Sequence, residues 1–206
     1  MISGLYFITD SRLTKQGIAA DVEQVIKAGC RLIQYREKEK NTSEMVKEAT
    51  QLAKLCKANT TLFIINNRVD IALAVDADGV HIGQSDMAVE TARKLLGKNK
   101  IIGKSTHSVE EAVQAEKQGC NYVSVGPVFH TNTKKDAGKP VGVELVTKIK
   151  KAVNLPVVAI GGINEENLEQ VLKAGPDSIA MISAIACSPS PEKAAKTIIE
   201  KIQAFK

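Results

Sequence analysis

Short apolar runs and amphipathic stretches alternate along the whole chain. Runs at 5–9, 32–36, 62–66, 79–83, 101–105, 122–126, 157–161 and 178–183 are rich in Val, Ile and Leu and are bounded by turn residues, as buried parallel strands are. Between and after them, apolar residues recur at helical spacing over 18–28, 43–57, 69–75, 88–96, 109–118, 143–153, 165–173 and 191–205. Each strand is therefore followed by its helix, eight times over. The stops repeat as well: Lys27-Ala28-Gly29, Lys117-Gln118-Gly119 and Lys173-Ala174-Gly175 place glycine just past a helix end, where a left-handed residue closes the last turn. Ser108 with Glu111 has the spacing of a capping box. Asn164 precedes Glu165-Glu166, acids that suit a helix amino terminus, and Ser190 before Pro191 supplies a cap and a first helical residue.

Strict alternation demands a parallel sheet with helices outside it. Eight unbroken units without a linker predict an α/β protein, a single-domain (β/α)8 TIM barrel over residues 1–206. An open doubly wound sheet is the competing architecture, but its glycine-rich first turn is missing: the first strand ends Thr9-Asp10-Ser11-Arg12. Composition adds little to the fold and removes several functions. The 206 residues are 44% hydrophobic, with four Phe, three Tyr and no Trp, so the core is aliphatic. A net charge of +5, without bases interleaved with aromatics, argues against nucleic acid as a partner. No apolar run approaches the length of a membrane span, and Met1-Ile2-Ser3-Gly4 leads straight into a strand, so no signal peptide is expected. Cys30, Cys56, Cys120 and Cys187 have no metal-site spacing and read as free thiols. A cytoplasmic location follows.

Barrel sites lie at the carboxyl ends of the strands. Those ends hold Thr9 and Asp10; Gln34, Arg36 and Lys38; Asn66 and Asn67; Gln84 and Asp86; Ser105 and His107; Gly126, Thr131, Thr133 and Lys134; Gly161 and Gly162; Ile182 and Ser183. Along Leu32 to Lys38, alternation puts Gln34, Arg36 and Lys38 on one side and Tyr35 and Glu37 on the other. The first side suits a polyanion; a solvated charged strand end is the plainer account. Gly161-Gly162 and Ile182-Ser183 end the last two strands, where barrels often bind phosphate through backbone N–H groups. A tight turn explains the glycines equally. The stretch 127–140 reads as an anion-gripping flap or as a solvated loop. Asn67 and Asp86 offer hard oxygens for Mg2+, although Asp86 would also serve as the cap of a helix starting near Met87. His81 and His130 read as structural or solvated, and His107 as lining the mouth or beginning a helix. There is no Ser-His-Asp arrangement, no HExxH and no pair of strand-end glutamates. Chemistry here would rest on anion stabilisation.

Nine phrases, in order and spacing, resemble the thiamine-phosphate synthase family over nearly the whole chain. They are Leu5-Tyr6-Phe7-Ile8-Thr9-Asp10, Gln34-Tyr35-Arg36-Glu37-Lys38, Ile64-Ile65-Asn66-Asn67-Arg68-Val69-Asp70, Ala77-Asp78-Gly79-Val80-His81-Ile82-Gly83-Gln84-Ser85-Asp86, Ser105-Thr106-His107-Ser108, Gly126-Pro127-Val128-Phe129, Thr131-Asn132-Thr133-Lys134, Ala159-Ile160-Gly161-Gly162-Ile163 and Met181-Ile182-Ser183. The resemblance implies a (β/α)8 barrel that joins 4-amino-2-methyl-5-(diphosphooxymethyl)pyrimidine to a thiazole ethyl phosphate, releasing pyrophosphate. It implies that Gln34, Arg36, Lys38, Asn66, Ser105 and Lys134 bind the pyrimidine pyrophosphate, with Tyr35 and Glu37 in the same phrase. Thr131, Thr133, Gly162, Ile182 and Ser183 would hold the thiazole phosphate, with Asn132 in the same substrate-binding phrase. Arg36, Lys38, Ser105 and Lys134 would be the catalytic set, and Asp86 would bind Mg2+. The family usually has Asp where this chain has Asn67, so the metal is expected to be held more weakly. The partners implied are the two small-molecule substrates, with no nucleic acid and no membrane; assembly into a homo-oligomer stays open. Two other readings remain: a thiazole tautomerase-like isomerase, a branch with His where this chain has Pro127, and a non-catalytic barrel that binds a phosphometabolite.

Overall fold

The computed structural model describes residues 2–133 and 138–205. Its strands are β1 (Gly4–Ile8), β2 (Leu32–Tyr35), β3 (Leu62–Asn66), β4 (Gly79–Ile82), β5 (Ile101–Thr106), β6 (Tyr122–Val125), β7 (Val157–Ile160) and β8 (Ser178–Met181). They pair in parallel in sequence order, and β8 pairs back on β1, so the barrel is closed and no strand edge remains. The helices are α1 (Ile18–Lys27), α2 (Thr42–Ala58), α3 (Val69–Ala74), α4 (Val89–Leu96), α5 (Val109–Lys117), α6 (Gly142–Ala152), α7 (Leu168–Lys173), α8 (Ser183–Ala186) and α9 (Pro191–Phe205).

Strand alternation sorts the apolar residues into two cores. Phe7, Ile33, Ile65, Val80, Ile102, Val123, Val157 and Ile179 face outward and pack against the helices. Tyr6, Ile8, Leu32, Ile64, Tyr122, Val158 and Ala180 face inward and fill the barrel. Two inward phenols need room. Gly103 supplies it for Tyr122, because a Cβ at Gly103 would lie 2.1 Å from Tyr122 Cζ.

The expected stops are present. After α1, the Gly29 N–H donates to Ile26 O and the Cys30 N–H to Val25 O, and after α5, Gly119 and Cys120 repeat those bonds onto Glu116 and Ala115. Gly175 makes the first bond only, because Pro176 has no N–H to make the second. Most element ends fall within one residue of the sequence reading, and three features depart from it further. The helix expected from Glu165 starts at Leu168, because Asn164 Oδ1 accepts the Glu166 and Asn167 N–H groups and holds the intervening residues as a turn. The eighth strand ends at Met181, and Ser183 opens an unforeseen four-residue helix, α8. Ser108 caps α5 through the Glu111 N–H, but the Glu111 carboxylate bonds the His107 N–H instead, so half of the capping box forms.

Candidate active site

The carboxyl ends of the strands surround a cavity of about 620 Å³, within the range of roughly 300–1,000 Å³ common for small-molecule sites. Of the residues singled out in the sequence, Gln34, Arg36, Lys38, Asn66, Asn67, Asp86, Ser105, Thr131, Thr133, Gly162, Ile182 and Ser183 line it. Lys134 lies outside the described residues.

The end of β2 is held rigidly. The Arg36 N–H donates to Thr9 Oγ1 at 2.9 Å, and that hydroxyl donates back to Arg36 O at 3.2 Å. The Arg36 guanidinium pairs with Asp10, which lies behind it, off the cavity wall. The acid that the β2 side lacks in sequence therefore comes from the end of β1. Asp10 also takes Arg12: Nε to Oδ1 at 3.0 Å and Nη2 to Oδ2 at 2.8 Å. Arg12 lines the cavity, and its Nη2 donates to Thr133 O at 3.1 Å, joining the loop after β1 to the loop after β6. Burial alone would raise the Asp10 carboxyl, but the Arg12 hydrogen bonds and the Arg36 charge outweigh it and hold the group below the usual carboxylate range.

Tyr35 and Glu37 do not line the cavity. The strand's two-residue period turns them outward. The Tyr35 hydroxyl donates to Glu48 of α2 at 2.7 Å. Glu37 Oε1 accepts from Ser11 Oγ, the Lys38 N–H and the Glu39 N–H at 2.7–2.8 Å. Glu37 thus folds the loop that carries Lys38, and burial, which would raise its carboxyl, is outweighed by those three donors and by Lys40. Asn132 also points off the cavity, its Oδ1 3.1 Å from His130 Nε2. With Asp10 and Glu37 both depressed, the stability they contribute is present above the ordinary carboxylate value near pH 4 and is lost as pH falls through their lower folded values. Acid unfolding followed by circular dichroism should accordingly shift to higher pH in Asp10→Asn; an unchanged acid midpoint would remove Asp10 from this role.

Opposite β2, the glycine pair after β7 is sterically required. Gly162 has φ +67°, and a Cβ there would meet His130 O at 2.5 Å and Phe129 Cβ at 2.8 Å. Ile182 and Ser183 adjoin it, and Thr133 Oγ1 reaches Ser183 Oγ at 3.5 Å.

Between these poles sit Asn67 and Asp86. Asn67 Nδ2 donates to Asp86 Oδ1 at 3.0 Å, and the Gly83 N–H donates to Oδ2 at 2.6 Å. Helix α4 begins at Val89 with Ala88 at its cap, so Asp86 orders its own loop and caps no helix. Among the described residues no group of three or more His, Cys, Asp or Glu could hold a metal. The donor set still fits magnesium, which typically takes one or two protein oxygens and fills its octahedron with phosphate oxygens and water. Each Asp86 oxygen has a lone pair beyond the bond it accepts, and Asp86 is the one carboxylate on the described wall.

The floor of the cavity is polar, which the sequence reading did not anticipate. Asn66 Nδ2 donates to Gln34 Oε1 (3.0 Å), and Gln34 Nε2 to the Tyr6 hydroxyl (2.8 Å). Tyr6 and Tyr122 share a hydroxyl contact of 2.9 Å, and His81 Nδ1 lies 2.9 Å from the Tyr122 hydroxyl. His81 Nε2 is 3.0 Å from Ser105 Oγ and 3.3 Å from Ser124 Oγ. Burial pushes both phenols well above their usual range.

The chain is similar to known proteins over nearly its whole length. The family profile described as thiamine monophosphate synthase matches residues 5–185. The thiamine-phosphate synthase of Methanosarcina barkeri is 54% identical over 198 residues, 96% of this chain and 90% of that protein. That of Clostridium acetobutylicum is 45% identical over 200 residues, 97% of this chain and 94% of its own length. Among solved structures, the thiamine phosphate pyrophosphorylase of Pyrococcus furiosus superposes with a TM-score of 0.91 at 42% identity, covering 98% of this chain and 96% of that one.

Proposed function

The chain belongs to the thiamine monophosphate synthase family, and from that premise we propose that its cavity couples a pyrimidine methyl pyrophosphate to a thiazole ethyl phosphate. The observation that carries this reading is the charge of the wall. Arg12, Arg36 and Lys38 gather on one side, Asp86 is the single described carboxylate, and a backbone-lined glycine pair lies opposite. Such a wall has room for two phosphorylated ligands.

The C–O bond from the pyrimidine methylene breaks, and pyrophosphate departs with the electron pair. Arg36 and Lys38 stabilise the charge growing on it, the largest catalytic term in most enzymes. The thiazole nitrogen then closes a C–N bond on the cationic methylene. Gly162, Ile182, Ser183, Thr131 and Thr133 hold the thiazole phosphate so that its ring faces that carbon. Asp86, with Asn67 beside it, is where Mg2+ would add positive charge to the leaving group. No protein nucleophile is called for, consistent with the absence of an activated one on the described wall.

Incubation with both substrates and Mg2+, followed by chromatography for thiamine phosphate and release of pyrophosphate, tests the proposal. A thiazole phosphate that is only isomerised, or only bound, would overturn it. The isomerase branch has His where this chain has Pro127 on the wall, which favours coupling over isomerisation. The same proposal places the reaction in the cytoplasm; among the described residues, no helix is long and apolar enough to cross a membrane.

Asn67 gives the metal site its own signature. Its amide N–H occupies Asp86 where the family places a second carboxylate. Asn67→Asp should therefore lower the Mg2+ concentration for half-maximal rate by about tenfold, since an added unit charge attracts a nearby cation by about 1–4 kcal/mol. An unchanged Mg2+ titration would remove residue 67 from the metal's surroundings.

A further inference from the structure

We propose that His81 is a positioning residue for Ser105: the hydrogen-bonded line through the barrel floor holds its imidazole neutral, with the proton on Nε2, so that the Ser105 hydroxyl turns its own proton into the cavity. The inference rests on reading that cavity as the substrate site.

Donor counting sets the direction of the line. Asn66 Nδ2 occupies Gln34 Oε1, so Gln34 presents Nε2 to Tyr6. The Tyr6 oxygen is then an acceptor, and among the described residues the acceptor for its proton is the Tyr122 hydroxyl. Tyr122 must send its own proton onward, and His81 Nδ1 stands 2.9 Å away to receive it. An imidazole that accepts at Nδ1 carries its hydrogen on Nε2. That N–H lies 3.0 Å from Ser105 Oγ and 3.3 Å from Ser124 Oγ, a shared bond that spends a Ser105 lone pair and leaves its hydrogen free to turn. Ser105 lines the cavity, so its hydrogen faces a ligand oxygen or ring nitrogen.

The other protonation states fit badly. An imidazolium, or the Nδ1–H tautomer, would donate to Tyr122, turn the Tyr122 proton back on Tyr6, and leave the buried Tyr6 hydrogen facing the Gln34 N–H. Stranding a buried donor costs about 1–3 kcal/mol. Escape would require the Gln34 and Asn66 amides to turn over together. The His81 ring is also fixed in plane, stacked on Tyr122 with centroids 5.4 Å apart and 25° between planes.

The test uses the full chain labelled with 15N-histidine. Of three imidazoles, that of His81 is assigned by its Overhauser contacts to the Tyr122 ring. The expected spectrum shows Nε2 protonated and Nδ1 bare. A protonated Nδ1, in either the other tautomer or the imidazolium, would overturn the proposal. Tyr122→Phe then keeps the ring against Gly103 and deletes the donor to Nδ1. The His81 resonances should move towards a tautomer mixture, and kcat should fall about tenfold, the size of one lost hydrogen bond, with KM of both substrates within about twofold. Unmoved resonances in Tyr122→Phe would also overturn it. Because the tautomer is read without turnover, an inactive protein with the expected spectrum would count against the coupling reaction and leave the proton arrangement standing.

Discussion

Arg36→Ala is expected to lower kcat roughly 10³-fold while the barrel stays folded. Removing one preorganised donor from developing charge costs about 2.7–4 kcal/mol, or 10²–10³ in rate, and Arg36 is both a full charge and a two-pronged donor. Its side chain is 10% exposed and its guanidinium is pinned from behind by Asp10, so it needs no ordering when the leaving group forms. The fold should tolerate the loss, because Asp10 keeps the backbone and guanidinium bonds of Arg12 and is not left as an orphaned buried acid. Arg36→Lys should recover only part of the rate, since an ammonium restores charge without the planar fork. The measurements are steady-state product formation and a thermal melt of the same preparations. A loss smaller than tenfold with an unchanged melt would move the leaving-group charge to other residues.

Gly103→Ala should cost about 3–5 kcal/mol of stability and lower the melting midpoint by about 10 °C. The new methyl would sit 2.1 Å from Tyr122 Cζ, 2.4 Å from Cε1 and 2.5 Å from the hydroxyl. The ring cannot yield cheaply. It is fully buried, stacked on His81, and bonded to Tyr6 and His81. Moving it would strand two buried partners as well as overpack the barrel. Denaturant unfolding of Gly103→Ala and of the Gly103→Ala/Tyr122→Phe pair separates the contributions. The pair should regain little, because two of the three close atoms belong to the ring. Full recovery in the pair would mean that the hydroxyl, not the ring, fills the space.

The barrel was legible because its signals are local. Glycine after a helix, Ser108 before one and outward Val and Ile on each strand act within a few residues of themselves. The mouth was legible for the same reason: a closed parallel barrel sends every strand end to one side. Tyr35 and Glu37 entered the substrate-binding set through the phrase that contains them, although the strand's own period already turned them away. What escaped the sequence depends on partners distant along the chain. Asp10 and Arg36 belong to successive strands, and only the β1–β2 register brings them together. Tyr6 and Tyr122 are separated by 116 positions and meet across the barrel axis. A phenol in an aliphatic strand reads as ordinary core. A sharper hint was available at Gly103, a residue without a side chain in an Ile-rich strand, which in the barrel faces Tyr122 in the register of β5 on β6. Nothing near Arg12 in the sequence reveals that it reaches Thr133.

The polar floor also gives the molecule an optical property. The chain has three tyrosines and no tryptophan, and burial pushes all three phenols up, with Glu48 adding to the effect on Tyr35. None ionises near pH 10, where a solvated tyrosine would. Keeping them protonated stabilises the fold fully below that value, and the contribution drains away as pH rises above it. Phenolate absorbance in an alkaline titration would therefore stay dark while the barrel is closed. Its appearance, from all three rings together, would time the opening of the barrel.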